Sequence, residues 1–265
     1  MAESKEIEVL IACMNQSEDF VNRLYLDSNA LIINQTDSDS NRLIKRNNFN
    51  IDFRSTTERG LSKSRNMALT YSKGDICVIC DDDVVLSENY AEVLSNAYAE
   101  NQDADIIVFQ LVESKNKRYY KKYPLNRKYL NKYSVLRVSS CEITFKRSSI
   151  LSNNIRFNED FGAGSQNNCP GEENLFLKQA LDSGLRILYV PSVLGELQDS
   201  ESTWFKGYNY HYYYFKGVFC RMYFGRFLGF IYLSYFILKT ILKPKDGSLF
   251  TLIKGSLKGL FNLSY

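Results

Sequence analysis

The sequence predicts an α/β protein, a doubly wound and mostly parallel sheet carrying a C-terminal helical tail that associates with membrane. Three observations predict it. Up to about residue 190, short apolar runs alternate with stretches of helical spacing, the pattern of βαβ units. The run at 75–80, Asp-Ile-Cys-Val-Ile-Cys, is almost uninterrupted in apolar character, as suits a central parallel strand covered on both faces. From Trp204 onward nine Lys and Arg stand against one acidic residue, Asp246, and 19 of the chain's 37 aromatic residues fall there.

Taken in order, residues 7–13 read as a first buried strand, 20–26 as a helical stretch, 30–34 as a second strand and 51–54 as a short third. Residues 61–71 have helical spacing, with Leu61, Met67, Ala68 and Tyr71 available for one face. After the strand at 75–80 come a helix at 89–98 and a buried strand at 105–111. The stretch 115–132 is basic, rich in Tyr and without periodicity, and reads as an excursion or mobile loop. Strands at 140–145 and 186–190 flank a helix bracketed by Gly171 and Gly184. With 265 residues and no internal repeat, the chain suits one large domain at 1–203, in two parts at 1–112 and 113–203, and an appendage at 204–265.

The tail carries a net charge of +8, leaving 24 basic and 29 acidic residues, a net of −5, in the remainder. A basic, aromatic segment suits anionic lipid headgroups or nucleic acid. Nucleic acid is disfavoured, because the aromatics cluster with aliphatics instead of interleaving with basic residues as stacking platforms do. Residues 227–238 are uncharged between Arg226 and Lys239, well short of the roughly 20 that span a bilayer. Interfacial or re-entrant insertion is therefore expected, with packing on the large domain or on a second copy of the chain as the alternative. Six cysteines are scattered, and Cys77-x-x-Cys80 has no second pair at ligand spacing. Residues three apart on a strand face opposite ways, so reduced, structural thiols are expected. Residues 1–8 are charged and lack an apolar signal core, which points to a cytosolic location.

Three motifs carry the chemistry. Asp81-Asp82-Asp83 follows the apolar strand directly. Open α/β sheets bind ligands at the C-terminal ends of their strands, and carboxylates there hold a hard divalent cation together with substrate phosphates; a solvated acidic turn is the alternative. In Glu58-Arg59-Gly60-Leu61-Ser62-Lys63-Ser64-Arg65-Asn66, Gly60 permits a tight turn, Ser62 can cap the helix and Arg65 projects one turn in. Helix-end amides and a guanidinium together suit a diphosphate, although an ordinary helix start looks the same. Finally, Phe161-Gly162-Ala163-Gly164 precedes Pro170-Gly171-Glu172-Glu173, and the adjacent glutamates either complement a helix dipole or supply a general base.

In order and spacing, the acidic triplet, Gly60-Leu61-Ser62-x-x-Arg65-Asn66 and Gly171-Glu172-Glu173 resemble family 2 glycosyltransferases with the GT-A fold. The strings Ile33-Asn34-Gln35, Phe161-Gly162-Ala163-Gly164-Ser165 and Ser202-Thr203-Trp204-Phe205-x-Gly207-Tyr208 look like a bacterial branch of capsular and surface polysaccharide synthesis. The resemblance runs from about Glu8 to Gly217. It implies inverting, single-displacement transfer of a sugar from a nucleotide diphosphate donor, a UDP-sugar first among them, to a hydroxyl of a lipid-linked glycan. The donor would sit in 1–112 and the acceptor in 113–203, at the cytoplasmic face of the cell membrane. Asp83, with Asp81, would hold Mn²⁺ or Mg²⁺. Asp81 would alternatively reach the ribose, and Asp82 would point away or border the donor. Arg65 would contact the diphosphate or base, and Ala12, Asn15 and Asp37 would surround the nucleoside. Glu173 would be the base, with Glu172 beside it.

Departures from the family pattern are visible. Asn34-Gln35-Thr36-Asp37 stands where many relatives have Asp-Asp-Gly-Ser, and the base is Glu where the family has Asp. Many relatives place a histidine near the metal at the start of the tail, whereas the single histidine here, His211, lies past that position; Glu196 or Gln198 are candidates to substitute. A nucleotidyltransferase is the competing enzyme class, but it wants a glycine-rich loop after the first strand, where Cys13-Met14-Asn15-Gln16 has none. A catalytically silent binding module is the third reading, and the presence of both carboxylate motifs speaks against it.

Overall fold

The computed structural model describes residues 5–46, 48–165, 169–198, 209–241 and 249–261. Its strands are β1 Ile7–Met14, β2 Asn29–Gln35, β3 Ser40–Arg46, β4 Phe49–Thr56, β5 Ile76–Asp81, β6 Val84–Leu86, β7 Ile106–Glu113, β8 Lys128–Tyr129, β9 Ile143–Lys146 and β10 Ile187–Leu197. The helices are α1 Leu61–Tyr71, α2 Tyr90–Glu100, α3 Arg147–Ser152, α4 Glu172–Asp182, α5 Tyr210–Ile241 and α6 Leu249–Phe261. The expected helix at 20–26 is a 3-10 helix, Glu18–Arg23.

All the strands join one sheet in the order β3-β4-β2-β1-β5-β9-β7-β10-β6, with β8 pairing β10. The expected mostly parallel sheet is in fact mixed. Strands β4, β2, β1 and β5 run parallel. Between β5 and β7 lies β9, antiparallel to both, and β3, β6 and β8 add antiparallel pairings. The parallel half behaves as its apolar runs require. In β1, Leu10 enters one core layer while Val9, Ile11 and Cys13 enter the other, the period-two alternation of a strand covered on both sides. Helices α1, α4 and α5 cover the first face, and α2 with the 3-10 helix covers the second. Residues on both sides of position 112 contribute to this single sheet.

Cys77 lies in one layer and Cys80 in the other. All six thiols are free and buried, and burial pushes that of Cys13 up to about 12 and that of Cys220 to about 11. The excursion at 115–132 is not loose. Tyr120 N–H donates to Leu111 O at 3.0 Å and Leu130 N–H to Ile187 O at 2.8 Å. Tyr123 stacks on Tyr189 with its hydroxyl on Glu142.

The first half of tail helix α5 packs on the large domain. Phe215, Val218, Phe219, Cys220 and Tyr223 of α5 are buried in the same core layer as α4, and Tyr223 Oη donates to Lys132 O at 2.6 Å. At Gly225 the backbone takes φ 76° and ψ 179°, a left-handed φ that glycine adopts without strain. There α5 reverses, so that Phe224 meets Tyr232 at 4.7 Å between ring centres and Lys216 lies 5.2 Å from the Phe236 ring. Among the described residues, no helix is long and apolar enough to cross a membrane. The expected boundary at 203/204 lies outside the described residues, as does the 202–208 string.

Candidate active site

The C-terminal ends of β1, β2 and β5 share one edge of the sheet, because the three strands are parallel neighbours. Ala12 of β1 pairs in register with Asp81 of β5. Asn15, just past β1, has φ 53°, a region Asn tolerates better than most residues, and its N–H donates to Gln35 O at 3.0 Å. Asn34 is buried and holds the Gln16 main chain at both ends, through Gln16 N–H to Oδ1 at 3.0 Å and Nδ2 to Gln16 O at 2.8 Å. Gln35 Oε1 accepts the Gly60 N–H at 2.8 Å. Asn34 and Gln35, two of the residues that depart from the family pattern, thus fasten the loops around the edge.

The second and third motifs meet across about a hundred residues of sequence. Leu61 N–H donates to Ala163 O at 2.8 Å and Ser62 Oγ to Phe161 O at 2.6 Å. Ser62 was expected to cap α1. Gly60 holds the N-cap position instead, and the Ser62 hydroxyl is spent on the 161–164 turn. Of the expected inward face of α1, Ala68 is buried and Met67 partly buried, whereas Tyr71 is exposed; Ser62, Ser64, Arg65 and Leu69 complete the buried face.

Arg65 is 4% exposed and joins the two acidic motifs. Its Nη2 donates to Asp81 Oδ1 at 2.8 Å and Oδ2 at 3.1 Å, and its Nη1 to Glu172 Oε1 at 3.0 Å. The Phe157 ring lies 5.5 Å from the guanidinium carbon. A buried cation of this kind is tolerated because both carboxylates compensate it. The two terminal nitrogens of Arg65, expected to reach a diphosphate or base, hold protein carboxylates in this arrangement.

The acidic triplet fans out. Asp81 turns to Arg65, Asp82 Oδ2 accepts from Gln16 Nε2 at 3.0 Å, and Asp83 O accepts the Gln198 N–H at 2.7 Å. Asp37 is fully open and pairs with Arg59 at 2.5 Å, an exposed pair of little energetic weight. Glu196 pairs with Lys117 at 2.5 Å. His211 is exposed on the first turn of α5, edge-on to Phe215 at 4.6 Å, in keeping with its aromatic-packing alternative. Among the described residues no three acidic, His or Cys side chains converge on one point. Mg²⁺ and Mn²⁺ are commonly held by one or two carboxylates plus substrate phosphates; of the two carboxylates expected to hold such an ion, Asp81 gives both its oxygens to Arg65 here.

At α4, Gly171 is the N-cap with φ 111°, and its N–H donates to Glu172 Oε2 at 3.1 Å. An added Cβ at Gly171 would also lie 2.7 Å from the Phe219 ring. Gly171→Ala is expected to destabilise the fold by about 2–4 kcal/mol, from left-handed strain plus overpacking; an unchanged thermal midpoint would contradict the packing of α5 under this turn. Glu172 is buried, whereas Glu173 is half-buried. Burial, and then the neighbouring Glu172, push the Glu173 carboxyl up to about 8, close to the working range of a general base.

Several contributors to this region were not foreseen. Ser140 Oγ donates to Asp81 Oδ2 at 3.4 Å. Glu142 is 1% exposed and accepts from Lys121 Nζ at 2.7 Å and Tyr123 Oη at 2.6 Å. Burial lowers the Lys121 pKa, against the pull of Glu142 and, more weakly, Glu173. The Lys and Tyr density at 115–132 was the available signal for Lys121 and Tyr123, in a stretch expected to be an excursion or mobile loop.

The family model for glycosyl transferase family 2 matches residues 10–161, more than half of the chain, from β1 through the acidic triplet to the 161–164 turn. The chain belongs to glycosyl transferase family 2. No curated protein matches it in sequence. Among solved structures it is similar to residues 1–349 of S. aureus TarS, with a TM-score of 0.59 at 14% identity, covering 98% of this chain and 72% of that one. The same TarS fragment in complex with UDP-GlcNAc gives 0.62 at 14% identity, covering 98% and 73%. Against the longer TarS structure the values are 0.54 and 13%, with 98% of this chain matching 44% of that one. At such identities the likeness is one of fold, and it makes the mixed sheet of this glycosyltransferase GT-A-like.

Proposed function

We propose that this family 2 enzyme transfers a sugar, with inversion, from a UDP-sugar to a hydroxyl of a lipid-linked glycan during surface polysaccharide synthesis. The observation that carries the reading is the Arg65 bridge. It brings the acidic end of β5 and the start of α4 to the two sides of one guanidinium, so a donor held at the first lies beside a base at the second. Binding of UDP-GlcNAc by TarS, a protein of the same fold, supports a uridine nucleotide. Ala12, Asn15 and Asp37 border the sheet edge where the nucleoside would rest, and Asp82 holds the Gln16 loop beside it. Asp83, with Asp81, would hold Mn²⁺ or Mg²⁺, which when bound supplies neutralisation of charge on the leaving diphosphate. Glu173 takes the proton of the acceptor hydroxyl as its oxygen attacks the anomeric carbon from the side opposite the diphosphate. Glu172 and Arg65 keep the α4 turn and the β5 end at fixed separation, which serves alignment of donor and base.

The test is a screen for nucleoside diphosphate release across donors, with membrane extract as acceptor. Release of UDP with incorporation of sugar into lipid-extractable product is expected; pyrophosphate release would point to a nucleotidyltransferase and overturn the reading. Donor binding is expected to need Mn²⁺ or Mg²⁺ and to be lost in Asp83→Ala, as read by calorimetric titration with UDP. Full affinity in excess chelator would remove the metal from the proposal.

A further inference from the structure

The second leg of α5, residues 226–241, is apolar on both sides. Its inner stripe, Gly229, Leu233 and the partly buried Phe236, packs against the first leg and the core. Its outer stripe holds Phe227 at 77% exposure, Ile231, Tyr235 at 62% and Leu238. A helix apolar all round belongs in a non-aqueous setting, and a continuous exposed patch of this kind marks an interaction surface. The patch extends onto α6. Phe250, Lys254, Lys258 and Phe261 are exposed at helical spacing, and the Phe261 ring lies 6.1 Å from that of Phe230.

We propose that this outer face is a monotopic docking surface for an anionic lipid bilayer. Charge selects the occupant. Arg226 and Lys239 stand exposed at the two ends of the outer stripe, Lys254 and Lys258 beside it, within a segment of nine basic residues and one acidic. A second copy would bring like charges together, whereas anionic headgroups neutralise them. The leg is 16 residues long, or about 24 Å at 1.5 Å per residue, short of the roughly 30 Å hydrocarbon core. The reversal at Gly225 also directs its inner stripe to protein, so the leg lies along the interface with one face in lipid. The first leg sits directly beneath the base helix, with Phe219 against Gly171 and Phe215 O accepting from Cys169 Sγ at 3.8 Å. Docking therefore holds the Glu172–Glu173 turn at a set position relative to the bilayer. The inference stands apart from the transfer reading, because it needs no donor or base.

Co-sedimentation of the full chain with phosphatidylcholine vesicles, with and without one part in three of phosphatidylglycerol, tests it. Binding to the anionic vesicles, reduced but not abolished by high salt, is expected. Lys254→Gln with Lys258→Gln should cut partitioning roughly fivefold per lysine. Phe227→Ser with Ile231→Ser should remove the salt-resistant fraction while circular dichroism and acceptor-free UDP release stay as in the parent. Unaltered partitioning of both variants overturns the proposal. So does a dimer in solution that the serine variant dissociates, together with an absence of vesicle binding. Loss of UDP release in the parent chain would count against the transfer reading alone.

Discussion

Glu173→Gln is expected to lower turnover by about 10²-fold or more, the usual scale for losing a general base, while UDP affinity stays near that of the parent. The pH profile supplies the sharper readout. The Glu173 carboxyl is pushed up to about 8, so the basic form gains population as pH rises. The parent kcat/KM should climb roughly tenfold per pH unit below that value and level off above it. In Glu173→Gln this limb disappears. In Glu172→Gln it persists and moves to lower pH, because one of the causes raising the Glu173 carboxyl, the like charge beside it, is gone. Stability has the opposite slope. The folded protein holds a proton on Glu173 between the ordinary carboxylate value of 4.5 and about 8, where the unfolded chain has released it, so this contribution declines as pH rises through that window. A Glu172→Gln variant that loses the limb, beside a Glu173→Gln variant that keeps it, would move the base to Glu172.

Arg65→Met is expected to be the most damaging single change to stability, costing about 3–5 kcal/mol by the measure of broken buried ion pairs. The reason lies less in lost attraction than in what remains. Glu172 is 8% exposed and would be left buried with no cation beside it, and Asp81 would lose the partner of both its oxygens. Chemical denaturation reads the loss. Arg65→Lys should recover only part of it, since one ammonium cannot present two separate nitrogens to the two carboxylates. Adding Glu172→Gln to Arg65→Met should restore more than a unit of additive accounting allows, because the stranded charge is removed. Strict additivity of the two changes would mean that the bridge is not formed in solution.

The helix α1 matches its expected limits at 61–71, and the strands β1, β2, β5 and β7 fall within a residue or two of theirs. These elements rest on local signals, apolar runs and glycine stops, that survive in any tertiary setting. The strand expected at 140–145 forms β9, but its antiparallel direction did not declare itself, since a strand's side-chain pattern is the same in either direction and only the route of the chain decides which way it enters the sheet. The short β6 hid behind the acidic triplet, and β8 behind a stretch without periodicity.

The sequence by itself determined the family, the three motifs and their order, and the foreign character of the last sixty residues, because residue type and spacing are properties of the chain alone. Tertiary structure alone decided three things. Arg65 lies inside the core because two carboxylates from distant segments meet it there; no helical period predicts a buried guanidinium. Glu172 and Glu173, neighbours of one chemical type, separate into a buried ion-pair partner and a half-buried acid of raised pKa, since adjacent positions on a helix face different surroundings. And the apolar run at 227–238, uniform in sequence, becomes one stripe against protein and one against the outside when Gly225 folds the helix back, because which side of a helix is covered depends on where the chain returns.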